Sequence, residues 1–359
     1  MKKICLVYGG DSLENEISIL TALKVATELE KYSYSYLLVY ISRNGEMFTG
    51  SSLKDKDLYN SKKGFKKGTF IKNKKCYFKS GINKYEFDIV LLLSHGKGAE
   101  DGTHKGYFDT LKIPCIAPSV NASSLLQNKL FFKQVLKDLN VPQVKYYHIK
   151  KEEYLNGLNL KLKYPLIVKP VSLGSSIGVC KVENETNLNY ALDEVFLYEN
   201  EALIEEMVCS LKEVNIAIFR HKNQLIKSLA ERVNDKDKVL SFLDKYDNYT
   251  LSDTHIIPAD IDEDIIIKIN NISENVYNKL NLNSVVRFDY LLDEKNKELY
   301  LNEINAIPGS LAYYLYEKLD ISLIDIVEKL IEDYYYNQKK DNLLYKKYDE
   351  YFLTSLKAK

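Results

Sequence analysis

The first forty residues place an amphipathic helix between two apolar runs, and this order constrains the fold more than any other feature. Residues 4–8 are apolar and end at Gly9 and Gly10, residues 18–30 carry apolar side chains at helical spacing, and residues 36–41 are apolar again. A strand, a glycine turn, a helix and a second strand form the start of an open parallel α/β sheet. The N-terminal part is therefore predicted to be an α/β domain.

Further strands and helices follow along the chain. Residues 87–93 predict a buried strand that delivers His95 and Gly96 at its carboxyl end, where α/β sheets bind ligands. Residues 121–139 have the apolar spacing of one helix. Residues 42–86 are polar and rich in lysine, which predicts solvated hairpins, with a functional basic patch as the less favoured alternative.

The remaining strands are closely spaced and joined by loops, which is typical of α+β units. They are predicted at residues 166–169, 179–182, 202–205, 214–219, 285–292 and 298–303, and the tail from residue 321 has a helical pattern. We predict three domains: residues 1–127, a central unit over residues 128–210, and a C-terminal unit over residues 211–359.

Composition excludes several classes of function. The 359 residues contain 50 Lys and Arg against 50 Asp and Glu, so no basic excess argues for a nucleic-acid partner. No apolar run approaches the roughly 20 residues that span a bilayer. The five cysteines are scattered without a CxxC pair, as expected of a reducing compartment. We therefore expect a cytoplasmic protein without a nucleic-acid or membrane partner.

The strongest chemical signal is a pair of strands that carry charged side chains at alternate positions. Arg287 and Asp289 lie on one strand, and Glu303 and Asn305 lie on the next. Alternate residues of a strand share a face, so pairing of the strands would gather two carboxylates, an amide and a guanidinium. Oxygen ligands of this kind hold Mg²⁺ at nucleotide phosphates. The competing interpretation is a salt-bridge ladder on the surface.

Two weaker signals precede this pair. Lys169 ends a predicted strand and is followed by the loop Gly174-Ser175-Ser176-Ile177-Gly178, whose backbone N–H groups and hydroxyls suit phosphate oxygens, although a plain turn is equally compatible. The strand at residues 202–205 then runs into Glu206 and Val208. An apolar slot with carboxylates at its edge suits adenine, but solvated glutamates at a strand end are the simpler interpretation.

In this order, the three motifs resemble those of the ATP-grasp enzymes and, within them, the D-alanine–D-alanine ligases. Residues 9–18, GGDSLENEIS, are similar to the opening motif of that family. Residues 95–103, HGKGAEDGT, are similar to a second family motif, with Ala99 where a glycine is usual. The resemblance covers about residues 1–320 and implies an ATP-grasp fold behind an N-terminal α/β domain.

The resemblance also implies an activity: ATP-dependent joining of two D-alanines through an acylphosphate, for peptidoglycan precursor synthesis. It assigns Glu14 and His95 to the first D-alanine, and Arg287 and the Gly309 backbone to the oxyanion. Asp289, Glu303 and Asn305 would hold two Mg²⁺ ions, with Mn²⁺ as a possible substitute. The residues that it assigns to ATP are Lys129, Lys169, Ser175, Ser176, Glu205, Glu206, Val208, Glu213 and Lys245. Tyr246 would bond to Ser175 across the first substrate.

The chain departs from the family at the second amino-acid site. Tyr314 and Leu315 stand where the family has a Ser-Leu pair that receives the second carboxylate. A tyrosine hydroxyl can donate to a carboxylate, but its side chain fills more space. A ligase that uses D-serine or D-lactate second therefore remains an alternative, and Tyr246 argues against D-lactate. A catalytically dead ATP-binding regulator is the third. We expect a homodimer, with the tail as a packing helix.

Overall fold

The computed structural model describes residues 2–154, 158, 160–233 and 255–343, and it arranges them around three β-sheets. The sheets have eight, four and six strands in chain order. No helix within these ranges is long and apolar enough to cross a membrane.

The N-terminal sheet combines a parallel half with an antiparallel half. Its strands are β1 (Ile4–Gly9), β2 (Tyr36–Ile41), β3 (Met47–Thr49), β4 (Lys66–Lys72), β5 (Cys76–Ser80), β6 (Asn83–Phe87), β7 (Ile89–Leu92) and β8 (Cys115–Ile116). The spatial order is β6-β5-β4-β3-β2-β1-β7-β8, and only the β2-β1-β7-β8 half is parallel. The predicted parallel start is confirmed, and the hairpins of residues 42–86 extend it antiparallel because short turns join only antiparallel neighbours.

Helices cover this sheet and lead to the centre of the chain. They are α1 (Asn15–Lys31), α2 (Thr103–Thr110), α3 (Val120–Gln127) and α4 (Lys129–Asp138), with 3₁₀ turns at Ser51–Lys54 and Lys56–Leu58. The single helix predicted over residues 121–139 is wrong, because Asn128 breaks it. The backbone of Asn128 is extended, and its side chain accepts a hydrogen bond from the N–H of Phe131 and caps α4.

The central sheet is fully antiparallel. It contains β9 (Tyr146–Lys150), β10 (Leu166–Pro170), β11 (Cys180–Val182) and β12 (Glu201–Glu206), in the order β11-β10-β12-β9, together with α5 (Lys151–Tyr154) and α6 (Glu185–Val195). Apolar residues of α6 and the sheet form a core of their own. The loop between β10 and β11 leaves this core at the carboxyl end of β10.

The C-terminal sheet carries the chemically distinctive strand pair. Its elements are β13 (Leu211–His221), β14 (Gln224–Lys227), β15 (Glu231–Val233), β16 (His255–Ile256), α7 (Glu263–Lys279), β17 (Val286–Asp293), β18 (Glu298–Asn305), 3₁₀ turns at Gly309–Leu315 and Glu317–Leu319, and α8 (Leu323–Leu343). The main path is β16-β15-β13-β17-β18, with β14 on β13. β17 and β18 pair antiparallel, so the predicted pairing is confirmed.

The two end regions of the chain share one hydrophobic core. Buried residues of α1, such as Val25, belong to the same core as Leu315 and residues of α8, including Val327. Asn283 also joins the two regions, since its side chain accepts from the N–H of Ser119 and donates to the carbonyl of Ala117, each at 2.9 Å. These contacts hold the N-terminal sheet against the C-terminal sheet. The domain limits at residues 127 and 210 stay predictions.

We predict that Asn283→Ala lowers the free energy of unfolding by about 1–3 kcal/mol, because it leaves two backbone groups without their hydrogen-bond partner. Denaturant unfolding measures this change. Asn187→Ala, at an exposed position of α6, is the matched control and should cost about 0.5 kcal/mol or less. A loss for Asn283→Ala no larger than that of the control would contradict the bridging role.

Candidate active site

A row of polar side chains crosses four strands of the C-terminal sheet. Glu231 on β15 pairs in register with Asn215 on β13, Asn215 with Asp289 on β17, and Asp289 with Glu303 on β18. Residues that pair directly across antiparallel strands share a face, so all four side chains leave the sheet on the same side. Arg287 and Asn305 pair with each other in the adjacent row of that face.

Arg287, in the adjacent row, donates two parallel hydrogen bonds to the carboxylate of Asp289. Nε and Nη2 of Arg287 lie 2.6 and 2.7 Å from the two carboxylate oxygens of Asp289. The side-chain oxygen of Asn305 accepts from the N–H of Ile307. Each of these oxygens has further lone pairs, so the two carboxylates and the amide offer the hard donors that Mg²⁺ prefers. The donor set therefore fits the predicted metal.

The described ranges contain no group of three or more His, Cys, Asp or Glu side chains placed to hold a metal. The predicted set has only two such residues, Asp289 and Glu303, and depends on the amide of Asn305 for its third ligand. It therefore requires further oxygens from phosphate or water, which is the usual arrangement for Mg²⁺ at nucleotides.

A bulge in β18 turns the side chain of Asn302 towards Lys169. The register passes from Asp289–Glu303 to Tyr290–Leu301, which leaves Asn302 as the extra residue of β18. Its side-chain oxygen lies 3.4 Å from Nζ of Lys169, at the end of β10. Bulges redirect side chains in this way near functional sites. The contact joins the central sheet to the strand that bears Glu303.

Lys169 belongs to a buried group of three charges. Glu205 Oε2 lies 2.7 Å from Nζ of Lys169, and Glu205 Oε1 lies 2.9 Å from Nζ of Lys133 on α4. Burial by itself would raise the pKa of Glu205, but the two lysines outweigh it and hold that pKa at about 2. Burial lowers the pKa of Lys133, and Glu205 opposes that change only in part. Glu205 therefore remains an anion that anchors Lys169.

The loop after β10 lies against the N-terminal domain. Ser175 and Ser176 both have left-handed backbones, with φ of 52° and 58°. Nζ of Lys129 donates to the carbonyl of Leu173, and burial lowers the pKa of Lys129. The loop thus has a strained backbone at the point where the sequence predicts phosphate binding.

Glu14 is the residue on the N-terminal side of this loop. It is buried, and the hydroxyl of Ser175 donates to one of its oxygens. Burial raises the pKa of Glu14, the negative charge of Glu100 adds to this rise, and the Ser175 bond opposes it. A Cβ on Gly96 would lie 2.6 Å from Glu14, so only glycine fits there.

The structure brings several predicted residues into one region. His95 is buried beside Glu14 and contacts Thr21 through Nε2 at 3.3 Å. The charge of Glu303 acts on the pKa of both Glu14 and Lys129, which places these groups around a common space.

The other predicted residues lie on or next to β12 and β13, or outside the described part of the chain. Glu206 accepts from the N–H of Lys163 and, as the strand neighbour of Glu205, faces the opposite side of β12. Val208 is buried just beyond the strand. Glu213 lies two residues before Asn215 on β13 and shares its face. Lys245 and Tyr246 lie outside the described residues. The roles of all these residues stay predictions.

The segment after Pro308 determines where Tyr314 lies. Ser310, Leu311 and Ala312 have consecutive left-handed backbones, with φ of 50°, 57° and 49°. A Cβ on Gly309 would meet no atom of the described residues within 4 Å. The hydroxyl of Tyr314 donates to Glu231 at 2.9 Å. The single proton of this hydroxyl is thus used by Glu231 in this structure, and the role of Tyr314 towards the second carboxylate stays a prediction.

Four polar residues of this region were not predicted from the sequence to belong to a site. Lys133 follows Lys129 by one helical turn, a spacing that could have indicated a shared face. Glu231 is a charged residue in a short strand beside Ala230 and Val233, which could have flagged a buried carboxylate. Asn215 and His255 carried no local signal, since their partners lie far away in the sequence.

Comparison with known proteins gives matches over most of the chain. The family model of the D-ala D-ala ligase N-terminus matches residues 3–118, and that of the C-terminus matches residues 135–332. The D-alanine–D-alanine ligase of Thermosipho melanesiensis is 34% identical over 340 residues, which cover 92% of this chain and 93% of the relative.

Solved structures agree with these matches. The D-alanine–D-alanine ligase of Helicobacter pylori has a TM-score of 0.75 at 27% identity and covers 92% of this chain and 98% of its own. The VanG D-Ala:D-Ser ligase of Enterococcus faecalis has a TM-score of 0.78 at 25% identity and covers 93% and 99%. The chain therefore belongs to the D-alanine–D-alanine ligase family and has the ATP-grasp fold.

Proposed function

We propose that this protein joins two D-alanine molecules into D-alanyl-D-alanine with ATP, a reaction that supplies peptidoglycan precursors. The observation that carries the proposal is the pairing of Arg287 and Asp289 with Asn305 and Glu303 on adjacent strands. This pairing supports the proposal because two carboxylates, an amide and a guanidinium share one face, and Asn302 of β18 contacts Lys169. A regulator with a dead site would not need this set intact.

The chemistry begins with a carboxylate, which is a poor electrophile until phosphorylated. Glu14, as a buried anion, would hold the ammonium of the first D-alanine, and Lys129 and Lys169 would orient the ATP phosphates. Phosphoryl transfer gives an acylphosphate, and the amine of the second D-alanine then displaces phosphate. Positioning and charge stabilisation suffice for both steps, so no covalent protein nucleophile is needed.

Arg287 would neutralise charge that develops during both steps. Its guanidinium is held by Asp289, so it is oriented before the substrates arrive. Preorganised donors of this kind lower a barrier because they need no reorganisation during reaction.

ATP and Mg²⁺ are what members of this family use. Bound between Asp289, Glu303 and Asn305, Mg²⁺ would neutralise phosphate charge. We further propose that the protein binds two Mg²⁺ ions and that Mn²⁺ can replace them. We also propose that it forms a homodimer and is located in the cytoplasm. D-serine as the second substrate is the alternative that Tyr314 keeps open.

Phosphate release with ATP, Mg²⁺ and a panel of D- and L-amino acids tests the proposal. We expect release with D-alanine alone, with D-alanyl-D-alanine as the product by mass spectrometry. Release only when D-serine is added to D-alanine would favour the alternative. No release above background with any D-amino acid would contradict ligase activity.

A second prediction concerns pH. Glu14 must be ionised to hold an ammonium, so kcat/KM for D-alanine falls as pH falls through the pKa of Glu14, which is raised above the ordinary glutamate value. The Ser175 hydroxyl lowers that pKa, so Ser175→Ala should move the acidic limb of the profile to higher pH.

Ser176→Ala removes a hydroxyl from the same loop and serves as the control, with its acidic limb expected at the wild-type pH. An acidic limb of Ser175→Ala that stays in place, or moves to lower pH, would contradict the assignment of that limb to Glu14.

A further inference from the structure

The proposed reaction makes no use of Glu231, although this carboxylate is fully buried beside the candidate site. It has three partners: Nδ2 of Asn215 lies 2.8 Å from Oε1, the hydroxyl of Tyr314 lies 2.9 Å from Oε1, and Nδ1 of His255 lies 2.9 Å from Oε2. Burial would raise the pKa of Glu231, but the bonds from His255 and Asn215 outweigh it. Glu231 is therefore an anion that accepts from all three.

The hydroxyl proton of Tyr314 is consequently donated to Glu231. A tyrosine hydroxyl has one hydrogen, so a phenol that donates to Glu231 offers only lone pairs to any other group. The Nδ1 of His255 must likewise carry a proton, because the carboxylate beside it can only accept. The rings of Tyr314 and His255 pack edge to face, with centroids 6.3 Å apart.

Tyr314 is also held through its backbone. The next residue, Leu315, is buried in the core shared by the two ends of the chain, and its carbonyl accepts from the N–H of Leu229 at 3.3 Å. The left-handed residues 310–312 lead directly into this anchored segment. The ring of Tyr314 is therefore fixed at both its base and its hydroxyl.

This fixed ring lies beside the guanidinium that the proposed reaction uses. Tyr314 donates to Glu231, Glu231 lies in the same cross-strand row as Asp289, and Asp289 is the partner of Arg287. Arg287, held by Asp289, is a cation that the carboxylate of an incoming amino acid can approach, and the bulky ring of Tyr314 lies in the same region.

We propose that Glu231 is a positioning residue for the second amino acid: it accepts the hydroxyl proton of Tyr314 and so fixes that ring as the wall that limits the size of the second side chain. This inference rests on the proposed ligase function. A rigid wall discriminates against one added methylene by roughly 10- to 200-fold in favourable cases, whereas a mobile ring gives way. The second site should therefore select D-alanine over D-2-aminobutyrate.

Mixed-product analysis tests this role. Enzyme, ATP and Mg²⁺ are supplied with equal D-alanine and D-2-aminobutyrate, and the ratio of D-alanyl-D-aminobutyrate to D-alanyl-D-alanine is measured by mass spectrometry. Glu231→Gln weakens the hydrogen bond from Tyr314 and keeps the shape of the side chain at position 231. Tyr314→Phe removes that hydrogen bond. We expect Tyr314→Phe to raise the ratio about tenfold, which is the order of effect of losing one hydrogen bond to a charged group.

Two further measurements separate positioning from general damage. The double variant should raise the ratio no further than Tyr314→Phe alone, because both changes act on one bond. KM for ATP and for the first D-alanine should stay within about twofold of wild type, while KM for the second D-alanine changes. Glu86→Gln and Tyr190→Phe, at exposed positions, are the matched controls and should leave the ratio unchanged.

Several outcomes would overturn the role. An unchanged ratio in both variants means that Glu231 does not position the wall. A rise of tenfold or more in KM for the second D-alanine in Tyr314→Phe, with an unchanged ratio, means that the phenol donates to the substrate. If the wild-type enzyme forms no dipeptide, the proposed ligase function itself fails, and this result is distinct from the other two.

Discussion

The antiparallel register of β17 on β18 is the constraint on which the rest of the site depends. It pairs Asp289 with Glu303 and Arg287 with Asn305, and a shift of β18 by one residue would send Glu303 and Asn305 to the face opposite Asp289. The bulge at Asn302 lies immediately beside this pairing and turns a side chain towards Lys169. One local irregularity thus connects the candidate metal-binding strands to β10 of the central sheet. Further pairing through β13 carries the same row to Glu231.

Buried charge is the second organising feature. Removing an ionised group from water costs free energy unless hydrogen bonds or an opposite charge compensate for the lost hydration. In the candidate site, each buried carboxylate named below has such partners. Glu205 is held between Lys133 and Lys169, Asp289 is held by Arg287, and Glu231 is held by three donors. The first two groups present cations beside the predicted phosphate and carboxylate positions. The zero net charge of the chain conceals this local arrangement.

The sequence was informative where a rule is local. Strand alternation and a short connection were enough to predict that β17 and β18 pair and that Arg287 and Asp289 share a face. Family motifs then identified Glu14 and the serine loop, which the structure brings into contact. The break at Asn128 was missed because a capping side chain interrupted an otherwise regular apolar spacing. The partners of Glu231 come from residues 215, 255 and 314, so only the folded sheet brings them together. The hydrogen bond from Tyr314 to Glu231 was not predicted for the same reason.

The position of the bound metal ion is the most direct test of the candidate active site. Crystals grown with Mn²⁺ and a non-hydrolysable ATP analogue would locate the ion by its anomalous scattering. We expect a peak bridging Asp289 and Glu303, within direct coordination distance of both carboxylates, with Asn305 as a further ligand and Lys169 on the nucleotide phosphates. A bound nucleotide whose Mn²⁺ peak lies away from β17 and β18 would contradict the central claim that this strand pair forms the catalytic centre.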